Sequence, residues 1–208
     1  MTLQRREREK QARELEIITA AEKLFVENGF ESTSMDRVAS MAEFTKRTVY
    51  QYFNSKEDLF YAVVLKGIRQ LMAYVDEAIE KGKTGFERIQ LVRKASYKFA
   101  REFPDTFRLM NYAQFIKTNS ENSPNFTEMA KLNSRLFTRF SQVIEEGIKD
   151  GSIRSDFKAP VGIFSHFFIT TGFLSRLSEA GSTYSARYGI STEELAEYTF
   201  SLLDDMMR

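Results

Sequence analysis

The chain has no cysteine, no tryptophan, a single histidine and only three prolines in 208 residues. Without cysteine there are no disulfides and no thiolate metal sites, and the composition fits a reducing compartment. With His166 as the sole histidine, an HExxH zinc site is excluded, and no glycine-rich loop of the phosphate-cradling kind occurs. Carboxylates are numerous, but their spacing does not differ from that of a solvated helix face. No catalytic residue, no metal site and no cofactor is therefore expected, and the chain does not read as an enzyme. No run of about 18 apolar residues is present, and the charged N-terminal segment lacks a signal peptide's apolar core. A soluble, cytoplasmic protein with no membrane partner is the expectation. The prolines, at 104, 124 and 160, stand where helices would start, and no extended period-two alternation appears. The chain reads as all-α. Its net charge is only +1, and residues 1–60 hold ten Lys/Arg against eleven Asp/Glu, so a nucleic-acid surface would have to be a local patch.

What the sequence does contain is a succession of helix caps and amphipathic stripes. Leu15, Ile18, Ala21, Leu24 and Phe25 give a first helix, which Asn28-Gly29 ends. Thr33-Ser34-Met35-Asp36 fits a capping box, with a hydroxyl at the start and a carboxylate three residues on, so a second helix begins near Ser34. Its inner face, Met35, Val38, Ala39 and Ala42, stops at Glu43-Phe44. Thr45 then caps a third helix, in which Val49 and Phe53 point inward and Lys46, Arg47, Thr48, Tyr50, Gln51 and Tyr52 include the outward positions. Ser55-Lys56-Glu57-Asp58 is another capping box and opens a longer helix carrying Leu59, Phe60, Val63, Val64, Ile68, Leu71 and Val75. Two short helices joined by so brief a turn form a helix-turn-helix, whose second helix enters the major groove while its neighbours grip phosphates. Arg and Lys suit guanine edges and phosphates, Gln suits adenine, and hydroxyls donate to phosphate oxygens. Spacing alone leaves a plainer reading open, because any small helical domain has polar outward residues.

The block TSMDRVASMAEFTKRTVYQYFNSKEDLF, with IITAAEKLFVENGFE before it, closely resembles the DNA-binding domain of the TetR (tetracycline-repressor-like) family of bacterial transcriptional regulators. The likeness spans about residues 11–71. By this resemblance, Thr48, Tyr50 and Tyr52 match recognition-helix positions that contact DNA, and Lys56 matches a phosphate-contacting lysine at the next helix's N-terminus. With their polar neighbours, the expected DNA-binding set is Ser34, Arg37, Thr45, Lys46, Arg47, Thr48, Tyr50, Gln51, Tyr52 and Lys56. Two departures stand out. Where the family has Ala-Gly-Val-Ser at the turn, this chain has Ala42-Glu43-Phe44-Thr45, so Glu43 must adopt a left-handed conformation at roughly 1 kcal/mol or the turn is built differently. Arg47 stands where the family often has Gly, and is expected to touch phosphate or a guanine edge.

Residues 3–13 carry five cations against two acids. They either extend the first helix and drop arginines toward phosphates or the minor groove, or form a solvated, frayed terminus with internal Arg/Glu pairs.

Helices continue beyond this block, about nine in all. The fourth stops at Gly82, the fifth carries Phe86, Ile89, Val92, Ser96, Phe99 and Phe103, and Pro104 starts a sixth. Thr118–Ser123 reads as a mobile loop. Pro124 opens a seventh helix that ends at Asp150-Gly151. The eighth begins near Pro160, is apolar around most of its circumference, and is expected to be buried on several sides. Within it, Gly162, Ser165 and Gly172 leave room for a neighbouring helix. Ser191 caps the ninth.

The division expected is residues 1–54 for DNA binding and 55–208 for effector binding and dimerisation. The resemblance implies that the last two helices pair into a dimer interface, with Phe167, Thr171, Leu174, Leu195, Tyr198, Leu202 and Met206 as candidates. It also implies an effector cavity. Candidates to line it are Phe103, Phe107, Met110, Tyr112, Phe115, Phe137, Phe140, Phe164 and Phe168, with Asn111, Gln114 or His166 orienting the ligand. Core packing is the alternative for each of these residues, and for His166 a hydrogen-bonded core role. The function implied is a homodimeric regulator, a repressor by family habit, that leaves a palindromic double-stranded DNA operator when a small apolar or aromatic effector binds. The alternative is a nucleoid or cell-division factor that binds DNA and answers to a protein partner.

Overall fold

The computed structural model describes residues 3–116, 123–157 and 160–208. Of the loop expected at 118–123, all but Ser123 lies outside the described residues. Among the described residues there is no strand, and nine helices follow in chain order: α1 Leu3–Ser32, α2 Met35–Met41, α3 Lys46–Tyr52, α4 Lys56–Lys81, α5 Gly85–Glu102, α6 Pro104–Tyr112, α7 Pro124–Lys149, α8 Val161–Tyr188 and α9 Thr192–Asp205. A 3-10 turn, Ala113–Phe115, follows α6.

Caps set these boundaries. The Ser34 hydroxyl accepts from the Arg37 N–H at 3.3 Å, Thr45 from Thr48 at 3.1 Å, Thr84 from Glu87 at 3.2 Å and Ser191 from Glu194 at 3.0 Å. Each satisfies a backbone donor that the first turn leaves free, a contribution of about 1 kcal/mol. The box expected at Thr33 is not closed. Ser34 is the cap, and the Thr33 hydroxyl instead donates to the Gly29 carbonyl at 2.8 Å. Asp36 turns away toward Lys46, whose ammonium is a stronger partner than a backbone N–H. Helical backbone in α1 breaks at Gly29, whose φ of 77° and ψ of 167° suit a residue without a Cβ.

The chain divides into two compact units, Met1–Ile68 with Leu109–Lys131, and Arg69–Arg108 with Leu132–Arg208. In the first, α1 buries Ile17, Ala21, Leu24 and Phe25, α2 buries Met35, Val38 and Ala39, α3 buries Val49, and α4 buries Leu59, Phe60 and Tyr61. The Phe60 ring stands edge-on to Phe25 and Phe30, with centroids 5.1 and 5.2 Å away. Burial of side chains this size stabilises the unit by about 1.5–3 kcal/mol each, far more than any cap.

The second unit has its core in Val75, Ile79, Phe86, Ile89, Val92, Val143, Ile144, Ile153, Ile163 and Met207. Here α5 and α7 approach at Gly85 and Gly147 so closely that a Cβ on Gly85 would lie 2.3 Å from the Gly147 Cα. The α5 N-terminus is tied down there, Gly85 donating to the Asp150 carboxylate at 2.8 Å and Phe86 to the Ser152 hydroxyl at 3.0 Å. Helix α8 departs from expectation. It buries one face, Ile163, His166, Thr170 and Leu174, and leaves Val161, Phe164, Phe168 and Ile169 exposed. A single chain covers only one side of this apolar helix. Of its small residues, Gly162 is packed by the chain's own Phe157, while nothing lies within 4 Å of a Cβ placed on Gly172.

Candidate nucleic-acid interface

Helix α3 is held from beneath by Val49 and Phe53, both fully buried, so the rest of its seven residues ride on the surface. The turn before it is a Schellman motif. Phe44 N–H returns to the Ala39 carbonyl at 2.9 Å and Glu43 N–H to the Ser40 carbonyl at 3.2 Å, which satisfies carbonyls at the end of α2. This geometry requires a left-handed residue, and Glu43 supplies it with φ of 57°, alone among the described non-glycine residues. The turn is thus built as a glycine would build it, at a cost of about 1–2 kcal/mol for the added Cβ.

Ser34, Arg37, Thr45, Lys46, Arg47, Tyr50 and Gln51 are exposed, and Thr48, Tyr52 and Lys56 are half-buried. Arg47, Tyr50 and Gln51 stand three and four residues apart, so they share one outward stripe of α3. The cations differ in freedom. Lys46 Nζ pairs with Asp36 at 2.8 Å, a hydrogen bond that, with the carboxylate's charge, raises the lysine's pKa. Arg37 donates to Asn28 Oδ1 at 3.3 Å. Lys56 donates to the carbonyls of Phe30 at 2.9 Å and Glu31 at 3.3 Å and lies 4.1 Å from the Phe30 ring centroid. It therefore caps the end of α1, and its charge sits at a helix C-terminus where carbonyl dipoles attract it. Arg47 has no such partner. The Thr45 and Thr48 hydroxyls bond each other at 2.8 Å.

The family model for bacterial regulatory proteins of the tetR family matches residues 17–63, which contain α2, the turn and α3. The chain belongs to the TetR family. It is 28% identical over 138 residues to the HTH-type transcriptional regulator YhgD of Bacillus subtilis, covering 66% of this chain and 70% of that one. It is 26% identical over 147 residues to the transcriptional repressor KstR2 of Rhodococcus jostii, covering 71% of each. Its fold is that of the transcriptional regulator FadR from Bacillus subtilis in complex with stearoyl-CoA, with a TM-score of 0.70, 18% identity, and 93% and 99% of the two chains covered. TetR proteins are DNA-binding transcriptional regulators rather than enzymes. No helix among the described residues is long and apolar enough to cross a membrane.

For a TetR regulator the sensor residues matter next, and the structure scatters the candidates. Met110, Asn111, Tyr112, Gln114 and Phe115 fall in the first unit; Phe103, Phe107, Phe137, Phe140, Phe164, His166 and Phe168 fall in the second. Tyr112 packs on Phe30 and Phe60, Phe103 and Phe107 pack on Phe99, and Phe137 stacks on Phe164 at 4.3 Å. Phe115, Phe164 and Phe168 are 70%, 44% and 66% exposed, so they do not line an interior space here. Met110 is half-buried. Gln114 donates to the Asn111 carbonyl at 3.0 Å, and the Asn111 side-chain nitrogen is buried without a partner. A separate cleft of about 510 Å³ opens between α5 and α9, lined by Gln90, Arg93, Tyr97, Phe200 and Asp204 among others and by none of the candidates.

Of the dimer candidates, Tyr198 and Leu202 are 67% and 49% exposed along one stripe of α9, Met206 just past its end is 47% exposed, and Phe167, Thr171 and Leu195 are half-buried. Leu174 is buried within its own chain, on the face of α8 that carries Ile163, His166 and Thr170.

Two clusters went unnoticed in the sequence. Asp58, read there only as a cap, is buried and accepts from Asn54 N–H, Ser123 Oγ, Asn125 N–H and Asn125 Nδ2 at 3.0 to 3.1 Å, so one carboxylate joins the chain just after α3 to the start of α7. Arg93 is buried against His166, Asp204 and the Met207 sulfur. Its position beside Val92 in the inner stripe of α5 was the available signal.

Proposed function

We propose that this TetR regulator is a homodimeric repressor that binds a palindromic operator through residues 1–54 and is released by a small apolar or aromatic effector bound within residues 55–208. The observation that carries the DNA reading is α3 itself, anchored by Val49 and Phe53 with Arg47, Tyr50 and Gln51 in one outward stripe. In this reading Ser34, Arg37, Thr45 and Lys46 position the phosphates around it, and Thr48 and Tyr52 flank the bases. Lys56 acts first as the cap of α1, with its remaining proton available to a phosphate.

The dimer reading is supported by the uncovered apolar side chains of α8 and α9, since a soluble chain seldom leaves so many large apolar groups in water without a partner. Doubling the helix-turn-helix also gives the two half-sites that a palindrome presents. The effector reading is supported by the aromatic content of the second unit and by two relatives, a repressor in KstR2 and a stearoyl-CoA complex in FadR. Release would follow from differential affinity, the effector favouring a dimer whose recognition helices no longer match the groove spacing.

Selection of bound sequences from a random DNA pool tests the reading. A palindrome with half-sites about one helical turn apart, or a multiple of that, is expected. A single unpaired half-site or no sequence preference would refute it. If a palindrome emerges but no small apolar compound lowers operator affinity, control by a protein partner replaces the effector.

A further inference from the structure

The helix-turn-helix carries little positive charge, and most of it is already engaged: Lys46 in an ion pair, Arg37 and Lys56 on neutral acceptors. Of its cations, Arg37, Lys46 and Lys56 have internal partners, Arg47 alone has none, and residues 1–60 carry one more acid than base. Binding to a duplex nevertheless draws much of its affinity from phosphate neutralisation. Further charge in the first unit would add to that affinity.

Helix α1 offers it. The described helix starts at Leu3, well before its first buried residue, Ile17. On a helix of 3.6 residues per turn, Arg6, Lys10 and Arg13 fall within about 60° of one another. Continued along the axis, that stripe is the one that buries Ile17, Ala20, Ala21 and Leu24 against the rest of the helix-turn-helix. Arg6, Lys10 and Arg13 are exposed. The cationic stripe is thus the core-facing side of α1 carried beyond the core, reaching about 16 Å from Ile17 to Arg6 at 1.5 Å per residue. Acids are kept off it. Glu7, Glu9, Glu14 and Glu16 lie to its two sides, where Glu9 takes Arg5 at 2.9 Å and Glu7 takes Gln11 at 3.3 Å. The internal pairing expected of this terminus is therefore present, but on the flanks, and it leaves the stripe uncompensated.

We propose that the first three turns of α1 are a second DNA-binding surface, in which Arg6, Lys10 and Arg13 hold phosphates flanking the base pairs read by α3. The proposal rests on the operator-binding reading. Three charges per chain added outside the groove-reading helix supply affinity and on-rate without adding base specificity.

The test uses the full chain and the palindrome recovered from the random pool. Arg6, Lys10 and Arg13 are changed together to Gln, which keeps helix propensity, and a control changes Arg5 and Arg8, off the stripe, to Gln. Log affinity is measured against log salt, together with the protected footprint. For the stripe variant the slope should shrink by about 2 to 3 per chain, affinity should fall at least about tenfold at moderate salt, and the footprint should shorten at its outer ends. The control should shift the slope by less than about 1 per chain. The preferred half-site should be the same for all three proteins. An unchanged slope and footprint in the stripe variant, or an equal loss in both variants, would overturn the proposal while leaving α3 as the reader. If the parent protein recovers no palindrome, the operator reading itself fails.

Discussion

Arg93 donates a hydrogen bond to His166 Nε2 at 2.7 Å inside the second unit, where each residue is only 1% exposed. Because an arginine has only donors, the imidazole must accept, which places its proton on Nδ1, an atom buried without a partner. Asp204 compensates the guanidinium, and Gln90 donates to that carboxylate. Burial lowers the Arg93 pKa to about 10, which keeps it charged at neutral pH.

His166 therefore makes folding pH-dependent. Burial, and then the Arg93 charge, push its pKa from 6.5 to about 3. Above pH 6.5 the imidazole is neutral whether the chain is folded or not, and it contributes no slope. Below that, the unfolded chain takes up a proton that the folded chain refuses, so stability falls by up to about 1.4 kcal/mol per pH unit until the folded pKa is reached. Between pH 6.5 and 5 the loss should be about 1 to 2 kcal/mol, and His166→Gln should remove it. Urea titrations of both proteins at several pH values measure this; parallel pH profiles would refute the assignment.

Asp204 should be worth more than a surface charge. Asp204→Ala leaves Arg93 buried and uncompensated, with an expected loss of about 3 kcal/mol, the lower part of the usual range because Asp204 is 19% exposed. Replacing both residues with apolar ones, Arg93→Met with Asp204→Leu, should recover much of that loss, since the desolvation penalty goes with the charges. Chemical denaturation of the two variants decides it: a double variant no more stable than Asp204→Ala contradicts the account.

How far the sequence showed all this depended on whether the signal was local. Helix starts at Ser34, Thr45 and Ser191 were legible because a cap and its recipient lie three residues apart. The left-handed turn at Glu43 was legible because a familiar block carries Gly there. The second unit was less so. That Phe164 and Phe168 face water while Phe99 and Phe107 are packed inside is decided by neighbouring helices far along the chain, and an aromatic at helical spacing reads the same in either setting. The four bonds Asp58 collects from Asn54, Ser123 and Asn125 were hidden for the same reason, two of its partners being more than 60 residues away.

Glu43 offers a direct gain. Its φ of 57° suits glycine, and its side chain is exposed. Glu43→Gly should relieve about 1 kcal/mol of strain, part of it offset by the greater freedom of an unfolded glycine, for a net stabilisation of up to about 1 kcal/mol. A β-branched Glu43→Val should instead be destabilised. Thermal melts of the pair test this, and a Gly variant less stable than the parent would show that Glu43 makes a favourable contact outweighing its backbone cost.

Arg47 is the one free cation of the recognition helix, so its removal should be felt in DNA binding and not in folding. Arg47→Ala should weaken operator affinity at all salt concentrations, reduce the salt slope by about 1 per chain if it holds a phosphate, and relax one base preference if it pairs with guanine. Its melting temperature should stay close to the parent's. Unchanged affinity and slope would remove Arg47 from the interface.

The α9 stripe allows the proposed dimer to be tested apart from DNA contact. Tyr198 and Leu202 are 67% and 49% exposed and lie four residues apart, while Ala196, Phe200 and Leu203 on the same helix are buried in the chain's own core. A charge at the exposed positions, Tyr198→Glu with Leu202→Glu, should leave the monomer folded and oppose burial of α9 against a second copy. On the proposed dimer, sedimentation should show a monomer for the variant and a dimer for the parent, and affinity for the full palindrome should fall toward that for a single half-site. A variant that stays dimeric would place the interface elsewhere. One that becomes monomeric yet binds the palindrome as tightly as the parent would show that pairing in solution is not what doubles the readout.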